Sequence, residues 1–107
     1  MPSQIVVDPV LKRFRAALDE LYGDRLERVV LYGSRARGDH RDDSDYDIAV
    51  FIKDSQRFAV ELQRIALVTT DILIETDAVI SAMPFPAGSY RERTGFMQEL
   101  RFEGVDV

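Results

Sequence analysis

Hydrophobic residues near the start of the chain recur every three or four positions, which is the spacing of one face of an α-helix. Asp8 and Pro9 precede them, and these residue types are typical of a helix N-cap and of the first helical position. Gly23 can end the helix. We therefore predict an amphipathic helix that packs on a sheet through Val10, Phe14, Leu18 and Leu21.

Two short apolar runs predict β-strands. The first covers Leu26 to Tyr32 and ends at Gly33, and the second covers Tyr46 to Ile52. Between them, residues 34–38 can form a short helix and residues 39–44 are polar and loop-like.

Alternation of side chains gives the second strand two different faces. One face carries Tyr46, Ile48, Val50 and Ile52, and the other carries Asp45, Asp47, Ala49 and Phe51. The two acids therefore point the same way and lie roughly 7 Å apart at Cα.

The middle of the chain predicts one more helix and one more strand. Asp54 or Ser55 can cap the helix, whose apolar stripe is formed by Phe58, Leu62, Ile65 and Ala66. The run from Asp71 to Ile74 predicts the start of a third strand. Met83 to Pro86 contains two prolines and predicts a break in regular structure.

The end of the chain predicts a last helix and an edge strand. Residues 89–92, Ser-Tyr-Arg-Glu, match a capping box, and Gly104 can end the helix. The apolar seam of this helix consists of Tyr90, Met97 and Leu100. Residues 105–107 can add a short strand at the edge of the sheet.

The order of these elements indicates the fold class. Helix, strand, short helix, strand, helix, strand and helix together predict an α/β or α+β fold with a small mixed sheet flanked by helices. No repeat, linker or low-complexity segment divides residues 1–107, so we predict a single domain.

Composition excludes several classes of protein. The chain has no cysteine and one histidine, which excludes disulfides and cysteine-ligated metal sites. Its net charge of −5 argues against a broad electrostatic contact with DNA or RNA. There is no apolar stretch long enough to cross a membrane and no signal region at residues 1–4, so we expect a cytoplasmic protein.

Gly33 and Ser34 form a candidate phosphate-binding turn. A strand that runs into Gly-Ser and then into a helix presents backbone N–H groups, which favour anions. Glycine permits close approach of a phosphate, and the serine hydroxyl adds a donor. Taken alone, the dipeptide is more often an ordinary turn.

Asp45 and Asp47 form a candidate metal site. Two carboxylates on one face repel each other unless they are solvated or bound to a cation, so the pair is either a solvated strand start or a shared divalent site. Mg²⁺ prefers such hard oxygen ligands, and two ions can lie roughly 3.5–4 Å apart at a phosphoryl group.

Further acids raise the question of a third ligand. Asp71 begins an apolar run, where a carboxylate is otherwise out of place, and it can complete a metal shell and accept a proton from an attacking hydroxyl. Glu75 is four residues further along and would lie on the same face of the predicted strand as Asp71. It is the weaker alternative for the third carboxylate. Asp42 and Asp43 are solvated loop acids in this interpretation.

Residues 33–39, Gly-Ser-Arg-Ala-Arg-Gly-Asp, and residues 43–50, Asp-Ser-Asp-Tyr-Asp-Ile-Ala-Val, resemble the signature of the minimal nucleotidyltransferases. These enzymes belong to the DNA polymerase β-like nucleotidyltransferase superfamily. Their pattern is Gly-Ser, a spacer, Asp-x-Asp and a later strand acid, and the eleven residues from Ser34 to Asp45 fit that spacing.

The resemblance implies a role for each matching residue. Gly33 and Ser34 would hold the nucleotide phosphates, and Asp45 and Asp47 would bind Mg²⁺, with two ions expected. Asp71 would be the third carboxylate. Arg35 would contact the triphosphate or would be a solvated helix charge, and the same two alternatives apply to Arg37.

The resemblance also implies a reaction and a partner. A hydroxyl would attack the α-phosphate of a nucleoside triphosphate, with ATP as the expected donor, and would receive the nucleoside monophosphate. Minimal members of the family are often encoded beside a HEPN-domain protein, so we expect an antitoxin of a HEPN/MNT pair that modifies its toxin with AMP. Two alternatives are a non-catalytic partner-binding module and an aminoglycoside nucleotidyltransferase. The chain can also form a homo- or hetero-oligomer.

Overall fold

A computed structural model describes residues 8–107 of the chain. The helices are α1 (Pro9–Tyr22), α2 (Ser34–Arg37), α3 (Phe58–Thr76) and α4 (Gly95–Glu103). The strands are β1 (Leu26–Tyr32), β2 (Tyr46–Ile52), β3 (Ile80–Pro86) and β4 (Val105–Asp106). Short 3₁₀ turns cover Gly23–Arg25 and Ala87–Arg91.

The four strands form one mixed sheet in the order β3-β2-β1-β4. β1 is antiparallel to both β2 and β4, whereas β2 and β3 are parallel and are connected through α3. The predicted fold class, a small mixed sheet flanked by helices, is confirmed. Within residues 8–107, no helix combines the length and the apolar character needed to cross a membrane.

Each face of the sheet is covered by different elements. On one face, Ile48, Val50 and Ile52 of β2 pack with the buried residues of α1 and α3. On the other, Ala49 and Phe51 pack with Met97 and Leu100 of α4. The predicted alternation of side chains along β2 is therefore confirmed, and Asp47 belongs to the face covered by α4.

Helix α1 begins and ends where the sequence predicts. The Asp8 carboxylate accepts hydrogen bonds from the N–H groups of Val10 and Leu11, at 2.8 and 3.3 Å. Gly23 ends the helix with a φ of 56°. Of the four predicted apolar positions, Phe14 and Leu18 are fully buried, whereas Leu21 is 39% exposed.

The strand predicted from Asp71 to Ile74 is wrong. These residues lie in α3, which continues without interruption to Thr76. The helix is held by Ile65 and Ile72, which are seven residues apart and buried against the sheet. Phe58 of the predicted stripe is 53% exposed, and Arg57 occupies the N-cap position expected for Asp54 or Ser55.

The break predicted at residues 83–86 is also wrong, because this segment belongs to β3. The carbonyl of Val79 accepts a hydrogen bond from the N–H of Tyr46, so the odd-numbered residues just after it face β2. Pro84 and Pro86 therefore turn their nitrogen atoms away from β2, toward the side of β3 on which residues 8–107 place no further strand.

The last helix begins later than the capping box predicts. Ser89 lies in a 3₁₀ turn, and the side chain of Thr94 caps α4 by accepting the N–H of Met97 at 3.1 Å. Gly104 follows the helix, as predicted. The expected edge strand is confirmed, since Val105 and Asp106 pair with β1.

Candidate active site

Asp45 and Asp47 lie at the start of β2, on the side of the sheet that carries α4. Asp45 is exposed and directly precedes the strand, whereas Asp47 is half-buried within it. Tyr32 of β1 and Ser81 of β3 stand opposite Asp47 in the register of the sheet. Residues in such a row share a face, so Asp47 is flanked by one aromatic and one hydroxyl residue.

The two acids interact electrostatically. Burial, and next the charge of Asp45, raises the pKa of Asp47, while the Arg37 guanidinium opposes the shift. Burial, and next the charge of Asp47, likewise raises the pKa of Tyr32. The pair therefore holds negative charge that a bound cation would relieve.

Gly33 is fitted directly against Asp47. Its backbone has φ 76° and ψ −156°, which only glycine adopts without strain. A Cβ atom at this position would overlap the Oδ2 atom of Asp47 and would lie 3.3 Å from its Cγ. The Gly-Ser turn and the first carboxylate of the strand thus touch each other.

Ser34 begins a single turn of helix that closes on Gly38. The N–H of Gly38 donates to the carbonyl of Ser34 at 2.9 Å, and Gly38 adopts a left-handed φ of 88°. The predicted strand, Gly-Ser turn and short helix are confirmed as structure.

Glu103 is a neighbour of the turn that the sequence did not reveal. Its Oε1 atom accepts hydrogen bonds from the N–H of Gly33 and from Nη1 of Arg37, each at 3.3 Å. A cavity of about 240 Å³ lies between this turn and α4, with Tyr32 and Phe96 in its wall. Glu103 is 70 residues from Gly33 in the chain, and no local pattern signals such a contact.

Arg35, expected to contact the triphosphate or to be a solvated helix charge, forms hydrogen bonds within the protein. Its guanidinium donates to backbone carbonyls of residues 41, 42 and 44, in the loop that leads to Asp45. Arg37, by contrast, is half-exposed and contacts Asp39 and Glu103. Of the two arginines, Arg37 is the one whose charge acts on Asp47.

Asp71, predicted to start a strand and to be the third carboxylate, does not lie on a strand of the sheet. Asp71 is exposed on α3, which packs on the face of the sheet opposite to Asp47. Glu75, on the same helix, is paired with Arg13 at 2.7 Å. Among residues 8–107, no three acids or histidines are grouped closely enough to hold a metal ion.

The remaining pair of acids still suits a magnesium ion. Mg²⁺ is commonly held by one or two protein carboxylates together with substrate phosphates, and it keeps several water molecules. Asp45 and Asp47 supply two hard, anionic oxygen donors, one of them exposed to solvent. The donor set therefore fits an ion that arrives with a nucleotide better than a closed, all-protein metal cage.

A strand that ends in a Gly-Ser turn, packed against an Asp-x-Asp pair on the next strand, defines a nucleotidyltransferase. The chain belongs to the nucleotidyltransferase domain family, whose model matches residues 11–98.

Two relatives come from Methanocaldococcus jannaschii. One, named "Putative protein adenylyltransferase MJ0141", is 30% identical over 98 residues, which cover 92% of this chain and 95% of that protein. The other, "Putative protein adenylyltransferase MJ0604", is 32% identical over 76 residues, which cover 71% and 70%. These similarities and the family match support the conclusion that the chain is a nucleotidyltransferase.

Solved structures share the fold at lower identity. A crystal structure of a toxin–antitoxin with AMP-PNP is similar with a TM-score of 0.61 and 18% identity, over 87% of this chain and 68% of that one. A mutant of the toxin–antitoxin MntA-HpeT gives a TM-score of 0.60 at 18% identity, over 90% and 70%. These structures show a shared fold, and the predicted membership in the nucleotidyltransferase family is confirmed by the family model and the archaeal relatives.

Proposed function

We propose that this nucleotidyltransferase transfers AMP from ATP to a hydroxyl group of a protein partner, with Mg²⁺ as cofactor. The observation that carries the proposal is the contact between Gly33 and Asp47, which joins a phosphate-binding turn to a pair of carboxylates. The names of the two archaeal relatives support adenylyl transfer to protein.

In this proposal, the chain's own groups bind and orient the triphosphate. Asp45 and Asp47 hold Mg²⁺, and the N–H of Gly33, the Ser34 hydroxyl and the Arg37 guanidinium contact phosphate oxygens. Bound Mg²⁺ would neutralise charge on the triphosphate and lower the pKa of the attacking hydroxyl. The protein's contribution is position and electrostatics, and no covalent intermediate with the chain is needed.

The transfer balances without any further reactant. The acceptor oxygen forms a bond to the α-phosphorus, the bond from that phosphorus to the bridging oxygen breaks, and pyrophosphate leaves. The hydroxyl proton is released to solvent. The position of Asp71 on α3 supports its omission from this site, so the proposal relies on two carboxylates.

The proposed partner is a toxin, and the proposed role of the chain is that of an antitoxin. Support comes from the toxin–antitoxin structures that share its fold, one of them with AMP-PNP. A HEPN-domain protein remains the specific partner that we propose, on the sequence resemblance to minimal nucleotidyltransferases.

The test uses labelled ATP, Mg²⁺ and the protein encoded beside this chain, with mass spectrometry of both proteins. We expect AMP on the partner, loss of transfer in Asp45→Asn and Asp47→Asn, and normal transfer in the matched control Asp71→Asn. Partner inhibition that survives Asp45→Asn would show that binding alone is sufficient. Labelling from another nucleoside triphosphate in preference to ATP would refute the choice of AMP.

A further inference from the structure

We propose that Arg35 is a positioning residue, which fixes the direction of the Asp45 carboxylate by tying down both of its chain neighbours. The inference rests on the proposed role of Asp45 in holding the metal ion. It replaces direct contact with the triphosphate as the function of Arg35. The relevant segment is the acid loop, defined as residues 39–45.

The hydrogen bonds of Arg35 converge on the acid loop. Nε donates to the carbonyl of Ser44 at 2.9 Å, and Nη2 donates to the carbonyls of Asp42 and Arg41 at 3.1 and 3.4 Å. Carbonyl oxygens are strong acceptors, and a charged donor makes each such bond stronger than a neutral one. One side chain therefore holds three backbone carbonyls of the acid loop, at residues 41, 42 and 44.

The same guanidinium stacks on the residue that follows Asp45. Cζ of Arg35 lies 3.9 Å from the centre of the Tyr46 ring, close enough for a cation–π contact. Tyr46 is itself fixed, because it is 6% exposed and its hydroxyl donates to the Asp8 carboxylate at 2.8 Å.

Asp45 lies between these two contacts. The residue before it is held by a hydrogen bond to Arg35, and the residue after it lies under the Arg35 guanidinium. Asp45 precedes the first residue of β2 and is exposed, so the sheet does not restrain it as it restrains Asp47. Arg35 supplies the restraint that the strand does not.

Arginine is the residue type that this arrangement requires. A planar guanidinium can donate in its plane to several carbonyls while its face rests on an aromatic ring. A lysine ammonium has the same charge but cannot do both at once. Arg35→Lys is therefore a sensitive variant, since it preserves charge next to the acids and removes only the geometry.

The experiment compares Arg35→Lys and Arg35→Met with Arg41→Met. Arg41 is an exposed arginine of the acid loop, so its replacement removes one positive charge near the acids and leaves the Arg35 side chain in place. Each variant is measured for kcat, for the Mg²⁺ concentration at half-maximal rate and for ATP affinity without metal. Amide hydrogen exchange of residues 42–46 in the free protein gives a readout that does not require activity.

We expect both Arg35 variants to lower kcat by about 10- to 100-fold, as misplacement of a catalytic group does. They should also raise the Mg²⁺ requirement, speed exchange at residues 42–46 and leave metal-free ATP affinity within about twofold. Arg41→Met should resemble the unaltered protein. Lysine at position 35 should not rescue kcat.

Other results would overturn the inference. A tenfold loss of metal-free ATP affinity with unchanged kcat in Arg35→Met would identify a phosphate contact. Exchange rates at residues 42–46 that equal those of Arg41→Met would show that Arg35 does not hold the loop, even if the variants are inactive. Full activity of Asp45→Asn would instead refute the proposed function, and the exchange result would still decide whether Arg35 fixes the loop.

Discussion

Gly33 lies directly against the Asp47 carboxylate, and this arrangement depends on the absence of a side chain at Gly33. Gly33→Ala adds a Cβ that overlaps the Asp47 carboxylate and also strains the backbone. We expect a loss of about 1–3 kcal/mol in the free energy of unfolding. We expect transfer to fall by about 100-fold at temperatures where the variant is folded.

Gly88→Ala is the control for this prediction, because a Cβ at Gly88 would meet nothing within 4 Å. Urea denaturation and transfer assays of the two variants give the comparison. Equal activity of both variants would show that the Gly33 contact does not matter for the reaction.

The charge on Asp47 is predicted to cost stability in the metal-free protein. Burial, followed by the charge of Asp45, raises the pKa of Asp47, so the folded protein disfavours the ionised form. The cost is present at pH values above the raised pKa and disappears below the ordinary aspartate pKa of about 3.9. Asp47→Asn should therefore raise the melting temperature at neutral pH, with a gain that shrinks as the pH falls.

Magnesium and nucleotide should reverse the order of stability. They should stabilise the unaltered protein, because they bind only its folded state, and should do little for Asp47→Asn. Melting temperatures with and without Mg²⁺ and a non-hydrolysable ATP analogue check both parts, with Asp71→Asn as the unaffected control. A metal-free Asp47→Asn that melts below the unaltered protein at pH 7 contradicts the prediction.

Glu103 is predicted to weaken nucleotide binding. Its carboxylate accepts hydrogen bonds from Gly33 and Arg37, two of the three groups that we propose as phosphate donors. Glu103→Gln removes a negative charge beside them, and we expect ATP to bind about three- to tenfold more tightly, equivalent to roughly 1 kcal/mol. Isothermal titration of this variant and of Glu99→Gln, from the wall of the same cavity, tests the effect. Weaker binding to Glu103→Gln would contradict it.

Among the elements, α3 is held to α1 by a buried carboxylate. Glu61 is 1% exposed and accepts hydrogen bonds from the Tyr22 hydroxyl and the Gln56 N–H, both at 2.8 Å. Burial acts to raise the pKa of Glu61, but these bonds and the charges of Arg64 and Arg25 outweigh it, so the pKa is lowered. The ionised carboxylate is therefore the form that joins the two helices.

The lowered pKa of Glu61 predicts a pH dependence. The unfolded chain binds this proton more readily, so the stabilisation is complete above the ordinary glutamate pKa of about 4.3 and is lost as the pH falls through the lower folded value. Glu61→Gln should lower the free energy of unfolding by about 1–3 kcal/mol near neutral pH. It should also make the free energy of unfolding fall less steeply as the pH is lowered. Denaturation from pH 7 to pH 3 measures both effects.

Glu75→Gln provides the control on the same helix. Its ion pair with Arg13 is largely exposed, and such pairs contribute roughly 0–1 kcal/mol. If the free energy of unfolding falls equally steeply with decreasing pH in Glu61→Gln and in the unaltered protein, another carboxylate governs acid unfolding.

Local patterns predicted β1, β2 and the turn between them well, but they misplaced the caps of α3 and α4 and the structure of residues 71–74 and 83–86. The Gly-Ser turn and the Asp45–Asp47 pair lie within 15 residues of sequence. The alternation of side chains along a strand was sufficient to place both acids on the same face of the sheet. The short apolar run at residues 71–74 is compatible with a helix or with a strand. Only the burial of Ile72 against the sheet, which exists after folding, favours the helix. Glu103 reaches the turn through a contact that exists only after folding.

For the molecule as a whole, β3 and β4 are the outer strands of the sheet that the described residues form. β3 lies at one edge of this sheet. Because proline has no backbone N–H, Pro84 and Pro86 leave β3 without two hydrogen-bond donors that would otherwise face outward. The double variant Pro84→Val and Pro86→Val should restore those donors and increase self-association at high concentration. Light scattering after size-exclusion chromatography measures this change.

Met83→Val is the matched control on β3, because its N–H faces β2 and the substitution adds no donor at the open edge. If the control and the double variant self-associate to a similar extent, the apolar valine side chains cause the association, and the restored backbone donors do not. The same prolines led the sequence to predict a break, since only the position of β3 at the edge makes them compatible with a strand.

The pairing of Tyr32 with Asp47 places every proposed metal and phosphate ligand within one antiparallel pair of strands and its connection. The chemistry is thus encoded by one continuous stretch that ends at Ile52, while α3, β3 and α4 serve as its scaffold. Changes after Ile52 should therefore leave the connection between the turn and its acids unbroken.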